Sequence, residues 1–231
     1  LYDTGDRWAT GSAAERHILP MLNWRGIELE QIIISHIHLD HIGGLPTMRR
    51  AFPQATVRSP IRGEGHLPCI AGERWRWQSL QFEVLWPPKM LKRPVNDDSC
   101  VIRIDDGKYS LLLTGDAEKR AEAQLLRLRR DRLTVLQGGH HGSKTSSTPP
   151  FLRAVNPEAA LASASRYGKW RLPARKVVAR YRANGITWHD TTRSGQLSVL
   201  FFDNDWQIKG FREQLMPRWY HQRFGVEGDN E

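Results

Sequence analysis

Ser35-His36-Ile37-His38-Leu39-Asp40-His41 follows directly on the apolar run Ile32-Ile33-Ile34 and leads into Gly43-Gly44. A short apolar run that stops at a polar turn predicts a buried strand, whose last side chains leave the edge of a sheet. Four potential ligands, His36, His38, Asp40 and His41, fall within six consecutive positions. Imidazole nitrogens and a carboxylate oxygen suit zinc, manganese or iron, whereas a structural zinc site in a small domain usually recruits cysteine thiolates. The spacing therefore predicts a hydrolytic metal site. A tight turn lets His36 and His38 converge on one ion, while Asp40 and His41 face a second position.

Two more strand ends carry ligand-type side chains. Leu111-Leu112-Leu113-Thr114-Gly115-Asp116 is an apolar strand ending in a carboxylate, and Asp116 is the expected bridge between two cations. In Val135-Leu136-Gln137-Gly138-Gly139-His140-His141-Gly142-Ser143 a strand ends in imidazoles, with glycines that let backbone approach backbone. One of His140 and His141 is expected to bind metal, and the other to contact substrate or donate a proton. A ligating imidazole normally gives its outer N–H to a carboxylate or carbonyl, and Asp3 is the candidate acceptor.

Asp3-Thr4-Gly5, His36-Ile37-His38-Leu39-Asp40-His41, Thr114-Gly115-Asp116 and the stretch His140-His141-Gly142-Ser143-Lys144-Thr145-Ser146-Ser147 together resemble the metallo-β-lactamase superfamily. More narrowly, they resemble the soluble domain of the competence DNA-uptake channel proteins, the ComEC family. Phe82-Glu83-Val84-Leu85-Trp86-Pro87-Pro88 and Asn96-Asp97-Asp98-Ser99-Cys100-Val101-Ile102 are also similar to that subfamily, and the resemblance covers about residues 1 to 202. It implies an α/β fold, the αββα sandwich, with the metal site at one edge of the two sheets. It also implies one or two divalent ions, zinc or manganese, and a phosphodiester hydrolase acting on DNA, on the strand that does not enter the cell. The parent would be an inner-membrane channel, with this piece a soluble appendage on the periplasmic side, beside the transmembrane portion.

Two departures from the family pattern stand out. Many superfamily hydrolases carry another histidine between the first motif and the Thr-Gly-Asp element, but the only one here is His66, in the loop-like Gly63-Glu64-Gly65-His66-Leu67-Pro68. The position resembling that ligand is occupied by the Asn96 to Ser99 segment, so the first ion is expected to be weakly held or absent. Leu172 stands where related domains place a histidine before a proline, in Tyr167-Gly168-Lys169-Trp170-Arg171-Leu172-Pro173.

The 231 residues are 39% hydrophobic, enough to bury a core as one α/β domain, here residues 1–210. Residues 211–231 lack clear periodicity and read as an extension ending in a disordered acidic tail, Glu227 to Glu231. Lys and Arg number 34 against 25 Asp and Glu, a net charge of +9, a balance suited to a polyanionic partner. Arg74-Trp75-Arg76-Trp77 interleaves cations with indoles, as in a phosphate and base-stacking platform, or else forms one strand with alternating faces. Further cations are Arg127, Arg129, Arg130 and Arg132, then Arg166, Lys169, Arg171, Arg175, Lys176, Arg180 and Arg182. Cys69 and Cys100 permit one disulfide without requiring it. No apolar run approaches the ~20 residues of a membrane span. The chain starts at Leu1, with Asp3-Thr4-Gly5 almost at once, so it reads as a piece of a longer protein that lacks an earlier strand pair.

The expected chemistry is attack of hydroxide on phosphorus. Asp40 orients the nucleophile, the histidine of the 140–141 pair that is free of metal protonates the leaving oxygen, and Ser143 with Lys144 neutralises phosphate charge. A different class of reading keeps fold and basic surface as a nucleic-acid-guiding module with little catalysis. A third is another superfamily hydrolase, such as a lactonase, thioesterase or phosphorylcholine esterase, which the net basicity disfavours. Ser12 and Glu15 predict a capping box opening a helix. Leu45, Met48 and Phe52 predict another, and Asn184-Gly185 a left-handed helix end.

Overall fold

Ile32, Ile33 and Ile34 send their side chains to alternate sides of an extended segment, and each side meets a separate core. Ile32 and Ile34 pack with Leu22, Leu45, Met48 and Val57, whereas Ile33 packs with Phe82, Val84 and Ile102. One isoleucine triplet thus touches a helical layer on one side and a second sheet on the other.

The computed structural model describes residues 1–127 and 133–224. The cations Arg129, Arg130 and Arg132 and the acidic tail lie outside the described residues. In chain order the elements are β1 (Arg7–Trp8), β2 (Gly11–Ser12), α1 (Leu19–Arg25), β3 (Gln31–Ile33), α2 (Leu39–Ile42), α3 (Leu45–Ala51), β4 (Thr56–Ser59), β5 (Leu67–Pro68), β6 (Arg74–Trp77) and β7 (Leu80–Trp86). They continue with β8 (Val101–Asp105), β9 (Ser110–Leu113), α4 (Lys119–Leu125), β10 (Val135–Gln137), α5 (Pro149–Val155), β11 (Ala159–Ala162), α6 (Arg175–Ala183) and β12 (Thr187–Asp190). The last are α7 (Thr191–Ser194), β13 (Leu197–Phe201), β14 (Trp206–Gly210) and α8 (Trp219–Phe224).

Seven strands form one sheet in the order β12-β11-β10-β9-β8-β7-β6, and three form another in the order β3-β4-β5. Side chains of β8 to β11 pack under α4, α5 and α6 through Val101, Leu112, Leu136, Leu125, Phe151, Leu152, Val177 and Tyr181. The small sheet is covered by α1 and α3, and the third core lies between the sheets. The result is the expected αββα sandwich. Strands β9, β10, β11 and β12 are mutually parallel, so their carboxyl ends emerge along one edge. In open α/β sheets such an edge is where ligands bind.

Boundaries shift where local chemistry intervenes. Ser12 Oγ accepts from the Glu15 amide at 3.2 Å, as a cap should, but the Glu15 carboxylate accepts from Thr47 Oγ1 instead of closing the box. Gly185 ends α6 at φ +72°, with the Ile186 amide returning to the Tyr181 carbonyl. After Gly210 the chain is not featureless: Phe211–Leu215 makes a helical turn. A local cap, the Gly210 amide to Gln214 Oε1 at 2.6 Å, and a tertiary contact, Arg212 to the Thr192 carbonyl at 3.2 Å, fix this turn rather than periodicity. Cys69 and Cys100 are both fully buried and are joined in a disulfide, which the sequence left optional. Among the described residues, no helix is long and apolar enough to cross a membrane.

Candidate metal centre

Three chain segments deliver side chains to one point. The turn after β3 supplies His36, Asp40 and His41, the turn after β9 supplies Asp116, and the turn after β10 supplies His140 and His141. Asp3, in the segment beside β3, lies behind them. Gly115 makes the close approach possible: it sits at φ +53°, and a Cβ there would lie 2.7 Å from the Ser35 Cβ and 3.1 Å from the Ser99 Cβ. Gly44 does the same below the first turn, where a Cβ would lie 2.3 Å from the Thr4 carbonyl oxygen. His140 and His141 both hold positive φ, 48° and 53°, an uncommon conformation for non-glycine residues that concentrates at functional sites.

Asp116 is the hub. Its Oδ2 lies 3.3 Å from His41 Nε2, 3.7 Å from His140 Nε2 and 4.0 Å from His36 Nε2, and its Oδ1 lies 3.7 Å from His141 Nε2. Asp40 Oδ2 is 3.4 Å from His141 Nε2 and 3.6 Å from His41 Nε2. One ligand-type atom from each of Asp40, His41, Asp116 and His141 falls within 4.8 Å of the others. His36 and Asp116 are buried, whereas the Asp40 side chain is half exposed at the mouth.

The outer ring nitrogens are all engaged. His41 Nδ1 lies 2.7 Å from Asp3 Oδ2, and Asp3 also accepts from the Ser35 amide and hydroxyl. His36 Nδ1 contacts Ser35 Oγ at 2.9 Å, and His141 Nδ1 lies 2.7 Å from the Ser163 carbonyl oxygen. That leaves Nε2 of His36, His41 and His141, and Oδ1 of Asp116, buried and without a hydrogen-bond partner. Buried polar atoms rarely stay unpaired, so four of them facing one point describe a site for something they would bind. Imidazoles with outer N–H groups fixed by carboxylate or carbonyl, together with carboxylates, fit a divalent cation.

The charges express the same crowding. Burial pushes the His36 ring down to about 4, with His41 adding to the effect. Burial also works to lower His41, but Asp116 and Asp3 outweigh it and raise that ring to about 10. For His141 burial is likewise overcome, by Asp40 and Asp116, and the ring is raised. His141 in turn holds Asp40 well below the ordinary carboxylate range. Asp116, despite burial that opposes it, is lowered by His41.

The sequence left two histidines open, and they separate here. Both present Nε2 to the Asp116 carboxylate at 3.7 Å; His141 belongs to the group of four convergent ligand atoms, whereas the His140 ring also has Nδ1 2.9 Å from Glu118 Oε1 and 3.0 Å from Thr145 Oγ1, and Nε2 3.4 Å from Asn96 Nδ2. His38 is exposed, its ring edge-on to His36 with centroids 4.6 Å apart. His66 contacts Ser59 Oγ at 2.7 Å, far along the chain from any ligand, and is half-buried rather than solvated. Ser143 Oγ pairs with Thr145 Oγ1 at 3.0 Å, and Lys144 is exposed beside it.

Arg74, Trp75 and Arg76 are not brought to this edge. They lie on β6, the border strand three positions from β9 in the sheet, with alternating exposure. Arg74 pairs with Glu83 at 3.0 Å and Arg76 with the Gln78 carbonyl at 3.0 Å. Trp75 stacks on Phe82 while Arg58 covers it at 4.2 Å, so its ring is already occupied. The strand reading of Arg74 to Trp77, rather than the base-stacking one, matches this geometry.

Sequence reasoning missed the supports. Ser99 Oγ accepts from the Asp116 amide at 3.1 Å, and Asp97 Oδ1 accepts from the Glu118 and Ala121 amides, so the Asn96 to Ser99 segment braces the site. Glu122 is buried and accepts from the Thr148 amide at 2.8 Å and from the Ser147 amide, fixing the loop after His141.

The Metallo-beta-lactamase superfamily model matches residues 1–166. The chain is 47% identical to Uncharacterized protein YcaI of Escherichia coli, which it matches over its whole length and over 31% of that protein. It is 42% identical to Recombination protein 2 of Haemophilus influenzae over 98% of this chain and 29% of the relative. With Competence protein ComA of Neisseria gonorrhoeae the identity is 38%, over 85% of this chain and 28% of the relative. The chain thus spans less than a third of each of these relatives. In fold it is similar to the metallo-beta-lactamase fold protein YhfI of Bacillus subtilis, with a TM-score of 0.55 and 10% identity, over 82% of this chain and 94% of that one.

Proposed function

We propose that this chain, which belongs to the metallo-beta-lactamase superfamily, is a metal-dependent phosphodiester hydrolase acting on single-stranded DNA, borne by a longer inner-membrane uptake channel. The observation that carries the reading is the convergence of unpartnered Nε2 atoms of His36, His41 and His141 on the Asp116 carboxylate. The net charge of +9 favours a polyanion over a small acyl substrate. The relatives named for recombination and competence point to DNA. The buried Cys69–Cys100 pair supports the periplasmic side, since disulfides persist in oxidising compartments.

Asp40, His41, Asp116 and His141 would hold one divalent ion, zinc or manganese, with His36 and Asp116 reaching toward a second position. A bound ion supplies Lewis-acid polarisation of a phosphoryl oxygen and acidifies water. Asp40, half exposed at the mouth, orients the attacking water. Asp3 and the Ser163 carbonyl hold His41 and His141 in the tautomer that leaves Nε2 free. His140, steadied by Glu118 and Thr145 beside Asp116, is the proton donor to the leaving oxygen. Lys144, with the Ser143 hydroxyl, balances phosphate charge.

A second reading, the guiding module with little catalysis, is favoured by one feature. His38 is exposed, and His140 Nε2 lies 3.4 Å from the Asn96 amide, so the second ion position has few free nitrogens. Incubating the chain with single-stranded DNA and manganese, zinc or magnesium, beside Asp40→Ala and Asp116→Ala, separates the two. Metal-dependent cleavage lost in both variants supports hydrolysis. DNA binding without cleavage in any metal supports the guiding module.

A further inference from the structure

His141 and Gly142 anchor both ends of one loop. The Ser163 carbonyl accepts from His141 Nδ1 at 2.7 Å, and the Ala174 amide donates to the Gly142 carbonyl at 3.0 Å, so residues 164–173 form a flap fastened to the candidate metal centre. Pro173 packs against Gly142 so tightly that a Cβ there would lie 2.6 Å from the proline Cβ. On the far side of Pro173 lies a cleft of about 800 Å³, walled by the flap, α6 and the corner of β12 and α7.

The cleft is lined by guanidinium groups: Arg166 and Arg171 from the flap, Arg175 and Arg182 from α6, and Arg193 from α7. Arg175 and Arg182 are seven positions apart, two helical turns, and so share a face. Two carboxylates also line it, and both are engaged. Asp190 accepts from Trp188 Nε1 at 2.9 Å and the Thr192 amide at 3.0 Å, and Glu213 lies 3.8 Å from Arg193. Arg166, Arg171, Arg175 and Arg182 are exposed, and among the described residues none has a carboxylate partner. Arg175 and Lys176 add positive charge to the positive end of α6, whose first turn holds no acid. That arrangement is unfavourable unless an anion sits there. On the flap, Tyr167 is 87% exposed and Trp170 is 72% exposed, each with a cation over its ring, Arg166 at 5.5 Å and Lys169 at 4.9 Å from the centroid. Unlike Trp75, which Phe82 and Arg58 both cover, these exposed rings carry a cation on one side only, and exposed aromatics among cations are the parts of a single-strand platform.

We propose that this cleft and flap are a second nucleic-acid subsite: the two α6 arginines, Arg175 and Arg182, each hold a backbone phosphate several nucleotides from the one being cleaved, and Tyr167 and Trp170 stack bases of the intervening strand. The assignment rests on the phosphodiesterase reading for its substrate class, but the binding it describes is measurable without cleavage. A strand passing the metal centre crosses Leu172 and Pro173 and enters the cleft, whereas a small phosphodiester never reaches it.

The test compares the full chain with Arg175→Gln/Arg182→Gln and, separately, Trp170→Ala. The probes are a fluorescent twelve-nucleotide oligothymidylate, bis(p-nitrophenyl) phosphate with manganese, and vesicles of anionic lipid. The arginine pair is expected to lose about ten-fold in affinity for the oligonucleotide. It should also flatten the slope of log affinity against log salt by roughly 1.4, from two phosphate contacts at ~0.7 each. Trp170→Ala should lose about five-fold or more. Turnover of bis(p-nitrophenyl) phosphate should be unchanged. Oligonucleotide affinity equal to that of the unmodified chain overturns the subsite, as does dependence on these arginines for vesicles alone. Arginine-dependent oligonucleotide binding with no hydrolysis in any metal sustains the subsite while overturning the phosphodiesterase reading.

Discussion

His41 Nδ1 and Asp3 Oδ2 lie 2.7 Å apart across 38 positions of sequence. The contact fixes the ring so that Nε2 faces Asp116, and it ties the start of the chain to the turn after β3. Asp3 holds φ +56°, a conformation that asparagine tolerates, so Asp3→Asn removes the charge while sparing the backbone. Metal affinity is expected to fall about 10- to 100-fold, the usual cost of losing the acceptor behind a ligating histidine. Competition with a metallochromic chelator measures it, and an unchanged affinity would show that Asp3 serves the fold alone.

Ion uptake should release protons. His41 stands at about 10 in the metal-free chain, against an ordinary ~6.5, so at neutral pH it is protonated, while a ligating imidazole must be neutral. Calorimetric titration at pH 7.5 in two buffers of different ionisation enthalpy should reveal at least about one proton per ion. For stability the sign is fixed. Because the folded value is raised, the contribution of His41 is fully present below ~6.5 and is lost as pH rises through about 10. Thermal melts of the metal-free chain across that window should show a decline that His41→Gln lacks. Buffer-independent heats would remove His41 from the site.

The metal turn was legible because its ligands sit within six residues and the strand before them is apolar on both faces, a pattern local enough to survive without coordinates. Asp116 and the His140-His141 pair followed from the same logic of strand ends. The choice between His140 and His141 was not legible, since it depends on Glu118, Thr145 and Asn96 competing for one ring. The Ser163 carbonyl has no identity in a sequence at all, and Glu122 reads as an ordinary helix acid until the Ser147 and Thr148 amides, more than twenty residues on, are seen to need it. Arg74 to Trp77 looked like a platform because alternation of cation and indole serves a strand with two faces equally well.

The Cys69–Cys100 bond closes a loop across a sequence separation of 31 and sits beside the metal centre through Ser99. The Cys100 amide donates to the Ser35 carbonyl at 2.9 Å, and Tyr2 Oη donates to the Cys100 carbonyl at 2.7 Å. Replacing both cysteines by serine should cost about 3 to 4 kcal/mol from lost constraint on the unfolded chain. Urea unfolding of the oxidised chain, the reduced chain and the double variant measures this. Coincident midpoints for oxidised and reduced chains would mean that the bond contributes nothing.

His140 and His141 are neighbours whose Nε2 atoms both lie 3.7 Å from the Asp116 carboxylate, and single substitutions should separate their roles. His141→Ala removes one of four converging ligand atoms, so metal content should collapse together with activity. His140→Ala leaves the four convergent ligand atoms of Asp40, His41, Asp116 and His141 in place. Metal content should therefore persist while kcat on single-stranded DNA drops by about 10²- to 10⁴-fold, the range of a lost proton donor. A leaving group that needs no proton, such as p-nitrophenolate, should recover most of that loss in His140→Ala and none of it in His141→Ala. Loss of metal in both variants would place His140 among the ligands and take the proton-transfer role away from it.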